Sequence, residues 1–338
     1  MEYFRPIAMT DPARPKAALP LAGGWCWFDR VEVLSRAATG RIIAASEVPE
    51  PVLHRLTAPR TDFAGLSMNR PRLMGILNVT PDSFSDGGRF LAAEAAVAQA
   101  RAMADGAEII DIGGESTRPG AVEVAVEEEI ARTAPVIAAL RAGGLTCPIS
   151  IDTRKAPVAQ AALEAGASIV NDVSAFDFDP TLGPLAASTD VPVILMHAQG
   201  VPATMQDDPR YGDVLLDVYD GLAARLARAE ALGIDRGRIM LDPGIGFGKT
   251  QAHNLTLLRG LSLFHGLGCP ILLGTSRKRF IGAIGRAEPQ DRAPGSIATA
   301  LQGVAQGVQV IRVHDVAETR QALRLWQAMN TDHLEEEA

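Results

Sequence analysis

The chain has 338 residues, 47% hydrophobic and 21% charged, an ordinary globular balance that can bury a large core. Its net charge of −8 gives no basic footprint, so a nucleic-acid partner is not expected. Any bound anion must then be held by a local cluster of Arg, Lys and backbone N–H groups.

The start, Met1 to Thr10, contains Glu2, Arg5 and Pro6 and lacks the apolar centre of a signal peptide. Residues 1–70 carry Pro6, Pro12, Pro15 and Pro20, then Trp25-Cys26-Trp27-Phe28, then Arg41–Ala45 and the segment Pro49–Pro51. Two tryptophans so close together predict a small folded appendage rather than a disordered tail. A strand pair and a short helix are expected, with Trp25, Trp27 and Phe28 buried against the N-terminal end of the main domain's strands. Cys26, Cys147 and Cys269 are far apart and form no CxxC pair, so neither a disulfide framework nor a zinc site is expected. A reducing cytoplasm fits this cysteine usage, and no apolar run approaches the length of a membrane span.

From about residue 71 to 330 short apolar runs alternate with longer amphipathic stretches, and 331–338 form a short tail. Eight runs stand out: Leu73–Leu77, Glu108–Ile112, Pro148–Ile151, Ser168–Val170, Val191–Met196, Arg238–Leu241, Pro270–Leu273 and Gln309–Val313. They are rich in Ile, Val and Leu without polar alternation, as parallel strands buried on both faces require. Helices are predicted between them, over Ala92–Asp105, Val124–Arg141, Pro157–Glu164 and Asp213–Leu232 among others. Eight βα units at this length predict an α/β fold, a (β/α)8 TIM barrel with an N-terminal extension. A doubly wound sheet is the alternative, but Asn-Val-Thr-Pro-Asp-Ser-Phe after the first run is not its Gly-rich fingerprint.

Barrel chemistry sits where strands end, and every end here is polar. The ends are Asn78, Asp111 before Gly113-Gly114, Asp152, Asn171-Asp172, His197, Asp242, Thr275-Ser276 before Arg277-Lys278, and Arg312-Val313-His314. Any one could be a helix cap or turn; eight around one rim point to a small-molecule site. Asp152, Asn171 and Asp242 suit a planar heterocycle with N–H and amino groups, and Lys278 can meet a ring carbonyl or nitrogen. Arg118, Arg312 and His314 can hold a phosphate. Asn78 can be a single protein ligand for a Mg²⁺ that keeps its waters and binds substrate phosphate. The loops Thr80–Phe90 and Gly113–Ala121, long and Gly-rich, are expected to be mobile lids. Asp242–Thr250 resembles a phosphate-binding loop, but Pro243 stands where its first Gly belongs. His197, His253 and His265 show no metal spacing, so structural roles are expected.

Met74–Phe90, Asp111–Ala121, Ser150–Arg154, Asn171-Asp172, Met196-His197, Asp242–Lys249, Ser276–Lys278 and Arg312-Val313-His314 together resemble the dihydropteroate synthase family. The resemblance implies displacement of pyrophosphate from 6-hydroxymethyl-7,8-dihydropterin diphosphate by 4-aminobenzoate, giving 7,8-dihydropteroate in folate biosynthesis. It implies a pterin pocket of Asp152, Asn171, Met196, Asp242, Phe247 and Lys278. It places Asn78, Arg118, Arg312, Val313 and His314 at the diphosphate, with Asn78 on Mg²⁺. Phe84, Thr117, Pro119, Lys278 and Arg279 fall at the 4-aminobenzoate site, and the catalytic set is Asp86, Asp152, Arg118 and Lys278. It further implies a homodimer through helices late in the barrel. Arg279 departs from the Ser that some members carry there, and the long segment before the first barrel strand is unexplained by the family. Competing readings are a pterin- or folate-dependent methyltransferase, which needs no diphosphate site, and a catalytically inactive pterin-binding paralogue.

Overall fold

A computed structural model describes residues 1–79, 88–116, 120–200 and 204–330, with the side chains of the helix that starts at Gly88 described from Glu94 onward. The expected tail 331–338 and most of the first Gly-rich loop lie outside the described residues.

The N-terminal segment folds as expected, with more strand than expected. Strands β1 (Glu2–Pro6), β4 (Arg30–Ser35) and β5 (Arg41–Ala44) form an antiparallel sheet in the order β1-β4-β5, while β2 (Leu19–Pro20) pairs with β3 (Trp27–Phe28) and α1 (Glu50–Thr57) follows. Leu21, Cys26, Phe28, Val31 and Leu56 make its own small core. The aromatic cluster therefore divides. Trp25 reaches the barrel, its indole Nε1 donating to the Val304 carbonyl at 2.9 Å. Trp27 instead donates to the Asp11 carbonyl at 2.8 Å, and Phe28 is wholly buried within the appendage.

Eight parallel strands follow: β6 (Arg72–Asn78), β7 (Ile109–Gly113), β8 (Ile149–Asp152), β9 (Ile169–Asp172), β10 (Val193–Met196), β11 (Ile239–Asp242), β12 (Leu272–Gly274) and β13 (Val310–Val313). They pair in the order β11-β10-β9-β8-β7-β6-β13-β12. A parallel bridge between Leu241 and Ile271, with the Leu241 N–H donating to the Pro270 carbonyl at 3.0 Å, joins the two remaining edges. Closure leaves no edge to pair elsewhere. The intervening helices include α2 (Gly88–Ala104), α3 (Val126–Ala142), α4 (Ala156–Glu164), α5 (Leu182–Ser188), α6 (Val214–Ala231), α7 (Gln251–Arg259), α8 (Arg279–Gly285), α9 (Ala293–Val304) and α10 (Val316–Asn330). Among the described residues, no helix is long and apolar enough to cross a membrane.

Successive strand residues face opposite sides of the wall. One parity, with Leu73, Ile110, Ile112, Ile151, Leu195 and Leu241, packs in the large cluster under the helices. The other parity carries, in seven of the eight strands, an apolar side chain towards the N-terminal mouth: Met74, Ile109, Ile169, Ile194, Met240, Leu272 and Val310 form a separate inner cluster. Phe63 and Met68, from the stretch just before β6, complete that cluster and close the N-terminal mouth of the barrel. The plug is thus a phenylalanine and a methionine, not the tryptophan pair.

The appendage also climbs one flank. Tyr3 Oη donates to Asp220 at 2.8 Å and Arg36 pairs with Asp217 at 2.6 Å, both carboxylates lying in the first half of α6. At the lower end, Ser262 Oγ donates to the Pro6 carbonyl at 2.7 Å and Arg60 to the His265 carbonyl at 2.9 Å.

Phe63→Ala should leave a cavity under the barrel and cost about 3–5 kcal/mol. A lowered thermal midpoint is expected, with turnover of the folded protein changed by less than about twofold because the chemistry is at the other mouth. An unchanged midpoint would show that the mouth is closed without it.

Candidate active site at the C-terminal mouth

The parity that puts Met74 and Ile109 inside also puts Asn78, Asp111, Asp152, Asn171, Met196, Asp242, Gly274 and Arg312 inside, two residues or more further along their strands. It turns Asp172 and Val313 outward. Asp172 there serves a turn: its carboxylate accepts from the Ser174 N–H at 2.7 Å and the Phe176 N–H at 2.6 Å. The Val313 side chain packs under the helices, so it presents no side chain to the mouth.

Arg312 sits at the centre of the ring. Its Nε donates to Asp111 Oδ2 at 2.6 Å and its second nitrogen to Asp152 Oδ2 at 2.8 Å. Asn171 Nδ2 also donates to Asp111, at 3.2 Å. Residues from β7, β8, β9 and β13 are therefore linked in one network across the barrel. The other Asp152 oxygen, Oδ1, is buried and has no hydrogen-bond partner among the described residues. Burial pushes the Asp152 carboxyl up to about 7, with Arg312 opposing and Asp111 and Glu129 reinforcing the shift. Such an orphaned acceptor beside an inward amide is a place for a donor from outside the protein.

Asp242 faces this network from the opposite side. One of its oxygens accepts the Gly244 N–H at 2.7 Å, and burial raises its pKa despite the nearby Lys278. Lys278, at the N-terminal cap of α8, points inward: its Nζ donates to the Ile245 carbonyl and lies 4.6 Å from the centre of the Phe247 ring. Burial lowers the Lys278 amine to about 8, with Asp242 opposing. Arg277, its neighbour, turns away to pair with Asp315. Gly113 and Gly274 line the same mouth: a Cβ at Gly113 would lie 3.5 Å from Asp152 and one at Gly274 3.9 Å from Asp242, ordinary contact distances.

His314 lies beside Ser276, its Nδ1 3.0 Å from that hydroxyl. Asn78, half-buried, closes β6 opposite Gly113. Arg279 is exposed at the first turn of α8. Phe84, Asp86, Thr117, Arg118 and Pro119 lie outside the described residues. The remaining expected residues, Val313 apart, gather at one mouth. Asp111, one of the polar strand ends in the sequence, has no expected part in the pocket, yet its odd-even position relative to Ile109 gives it the same inward parity.

The model of the family described as "Pterin binding enzyme" matches residues 74–314. A dihydropteroate synthase of Escherichia coli is 47% identical over 264 residues, covering 78% of this chain and 93% of its own. The chain belongs to the dihydropteroate synthase family. A solved Xanthomonas albilineans dihydropteroate synthase with 4-aminobenzoic acid superposes with a TM-score of 0.76 at 48% identity, covering 81% of this chain and 99% of that one. The same organism's dihydropteroate synthase in complex with 7,8-dihydropteroate superposes with a TM-score of 0.73 at 46% identity, covering 81% and 100%.

Within this dihydropteroate synthase mouth, Asp111→Asn should weaken the Arg312 contact while leaving that arginine its Asp152 partner. A loss of roughly 1–3 kcal/mol is expected in denaturant unfolding, since a charged hydrogen bond is replaced by a neutral one. Pterin affinity should fall with it, because Asn171 and Arg312 share this anchor; unchanged affinity would make Asp111 a purely structural residue.

Proposed function

We propose the following division of labour for the dihydropteroate synthase reaction of this chain, a transferase reaction that forms dihydropteroate and releases pyrophosphate. The observation that carries it is the convergence of Asp152, Asn171, Asp242 and Lys278 on one mouth around an orphaned carboxylate oxygen. Ring N–H and amino groups of a pterin can donate to the Asp152 and Asp242 carboxylates, while Asn171 and Lys278 donate to its carbonyl and ring nitrogen. Met196 and Phe247 supply apolar contact to the ring faces. Arg312, held by Asp111 and Asp152, is the positive floor on which the diphosphate end rests, together with Arg118, the Val313 backbone and His314.

Loss of pyrophosphate requires neutralisation of its developing charge. Among the described residues no group of three or more His, Cys, Asp or Glu could hold a metal by itself. That donor set suits Mg²⁺ held by the Asn78 amide oxygen, waters and substrate phosphate, a mode in which few protein ligands are needed. When bound, Mg²⁺ supplies charge neutralisation on the phosphate oxygens. The Asp152 and Asp86 carboxylates stabilise the positive charge left on the pterin methylene. The arylamine is a weak nucleophile, so its placement by Phe84, Thr117, Pro119, Lys278 and Arg279 matters more than a base. His197 fits this reading: burial, then Lys249 and Arg225, lower its imidazole to about 2, which makes it a poor proton acceptor.

We assign residues 71–330 to the catalytic barrel and 1–70 to an appendage that braces it. The exposed Ile284 on α8 and Leu325 and Met329 on α10 support a homodimer through the late helices. Three free thiols suit a reducing cytoplasm.

The direct test is pyrophosphate release from the pterin diphosphate with 4-aminobenzoate; no release would overturn the assignment. Asp152→Asn and Lys278→Ala should each weaken pterin binding by at least about tenfold in calorimetry. Affinity should also follow a bell. It rises as pH climbs through about 7, where buried Asp152 loses its proton and becomes a full acceptor, and falls above about 8, where Lys278 loses its charge. In Asp152→Asn the acidic limb should vanish while the alkaline limb stays; an acidic limb that persists assigns it to another group.

A further inference from the structure

We propose that Lys249 is a positioning residue for the pterin pocket, a buried pin that ties the end of β10 to the turn after β11 and thereby sets Phe247 and Lys278. This rests on the pocket assignment above, in which those two residues meet the substrates.

The turn Asp242–Thr250 is the segment that mimics a phosphate-binding loop in sequence. Its conformation has a different purpose. Gly244, Gly246 and Gly248 all take left-handed φ, at +67°, +85° and +59°. A Cβ on Gly244 would lie 1.9 Å from the His197 carbonyl oxygen, and one on Gly248 2.3 Å from that of Gln199. Alternate glycines thus let the turn lie flat on the backbone leaving β10.

Four successive carbonyls of this turn are met by side chains. Lys278 donates to Ile245, Gln206 to Gly246 at 2.5 Å, Lys249 to Phe247 at 3.0 Å and the Tyr211 hydroxyl to Gly248 at 2.8 Å. Lys249 is the member that reaches both sides of the junction. Its Nζ also lies 3.1 Å from His197 Nδ1 and 3.2 Å from the His197 carbonyl oxygen. The Lys249 amine therefore has three acceptors within reach, the imidazole among them when its proton is on Nε2.

The side chain is 3% exposed and forms no ion pair among the described residues; burial pushes its pKa well below the ordinary lysine value, with Asp242 opposing. A buried ammonium without a paired anion is expensive, and an apolar residue would fill the space more cheaply. What the ammonium adds is direction. It fixes the Phe247 carbonyl, hence the ring next in line, over which the Lys278 ammonium sits at 4.6 Å.

The test compares Lys249→Met, Lys249→Arg and Lys278→Ala in the full chain by calorimetry with a pterin and by steady-state kinetics. Lys249→Met should raise the pterin Kd and KM by at least about tenfold while kcat changes less than about threefold, because no reacting atom is touched. In ¹⁵N spectra the His197 Nδ1 signal should lose the shift of a hydrogen-bonded acceptor. Lys249→Arg should recover part of the affinity. A folded Lys249→Met protein that binds pterin within about twofold of the parent overturns the proposal. Should Lys249→Met not fold, Lys249→Arg decides: its larger fork cannot make all three contacts, so parental affinity in that variant also overturns it. Unchanged binding in Lys278→Ala would instead sink the pocket assignment, which separates the two failures.

Discussion

Everything at the catalytic mouth depends on the two-residue alternation of strands in a closed wall. Each strand has room for only a few inward side chains, and in seven of the eight one of those towards the lower mouth is apolar, which seals it. The next inward position is polar in four of these strands, at Asp111, Asn171, Asp242 and Arg312. A one-residue slip in any strand would send its polar group under the helices and its Ile or Leu into the mouth. The plug of Phe63 and Met68 belongs to the same constraint: it supplies the hydrophobic floor against which that register is fixed.

An acidic chain that handles an anionic substrate needs its positive charge concentrated, and the barrel does this by pairing. Arg312 is bound by two carboxylates that would otherwise repel each other inside the wall. The pairing is incomplete by design of the geometry, since Asp152 keeps one oxygen without a partner. Burial acts on the two signs in opposite directions, raising Asp152 and lowering Lys278 until both titrate close to neutrality. A site with such groups can exchange a proton or a charge with a substrate at little cost, which an exposed pair could not.

The fold was largely legible because each buried strand is a short run of Ile, Val and Leu ending in a polar residue; all eight expected strands appear within a few residues of their observed bounds. Asn171, Asp152 and Asp242 were legible for the same reason, standing where apolar runs stop, and Lys278 follows a few residues after such a stop. Three things were not. Asp111 stands out as a polar strand end, but nothing in the sequence shows that it anchors both Arg312 and Asn171. Arg312 reads as a free phosphate binder, whereas spatial neighbours from β7 and β8, some 160 to 200 positions away, claim its guanidinium. The plug falls on Phe63 and Met68 because tryptophan clusters draw attention in a sequence, while a lone Phe and Met in a loop do not.

The segment that links β7 to α3 shows why an enzyme keeps charges buried beside its mouth. Glu115, at its start, receives Arg154 at 2.7 Å and Lys155 at 3.0 Å, and accepts the Val124 N–H from its far end at 2.8 Å. Lys155 continues to Glu129 at 2.8 Å and to the Val124 carbonyl at 2.6 Å, while Thr153 donates to Glu129 at 2.7 Å. Burial alone would raise the Glu115 carboxyl, yet the donors of Arg154, Val124 and Lys155 hold it below its ordinary value. Apolar residues of equal volume could fill this space with no loss of stability. They could not hold both ends of one loop to the strand that carries Asp152, because dispersion contacts have no preferred direction and hydrogen bonds do. The ionic node therefore serves geometry: it ties residues 115 and 124 to the end of β8, so the stretch between them departs from and returns to the rim at fixed points.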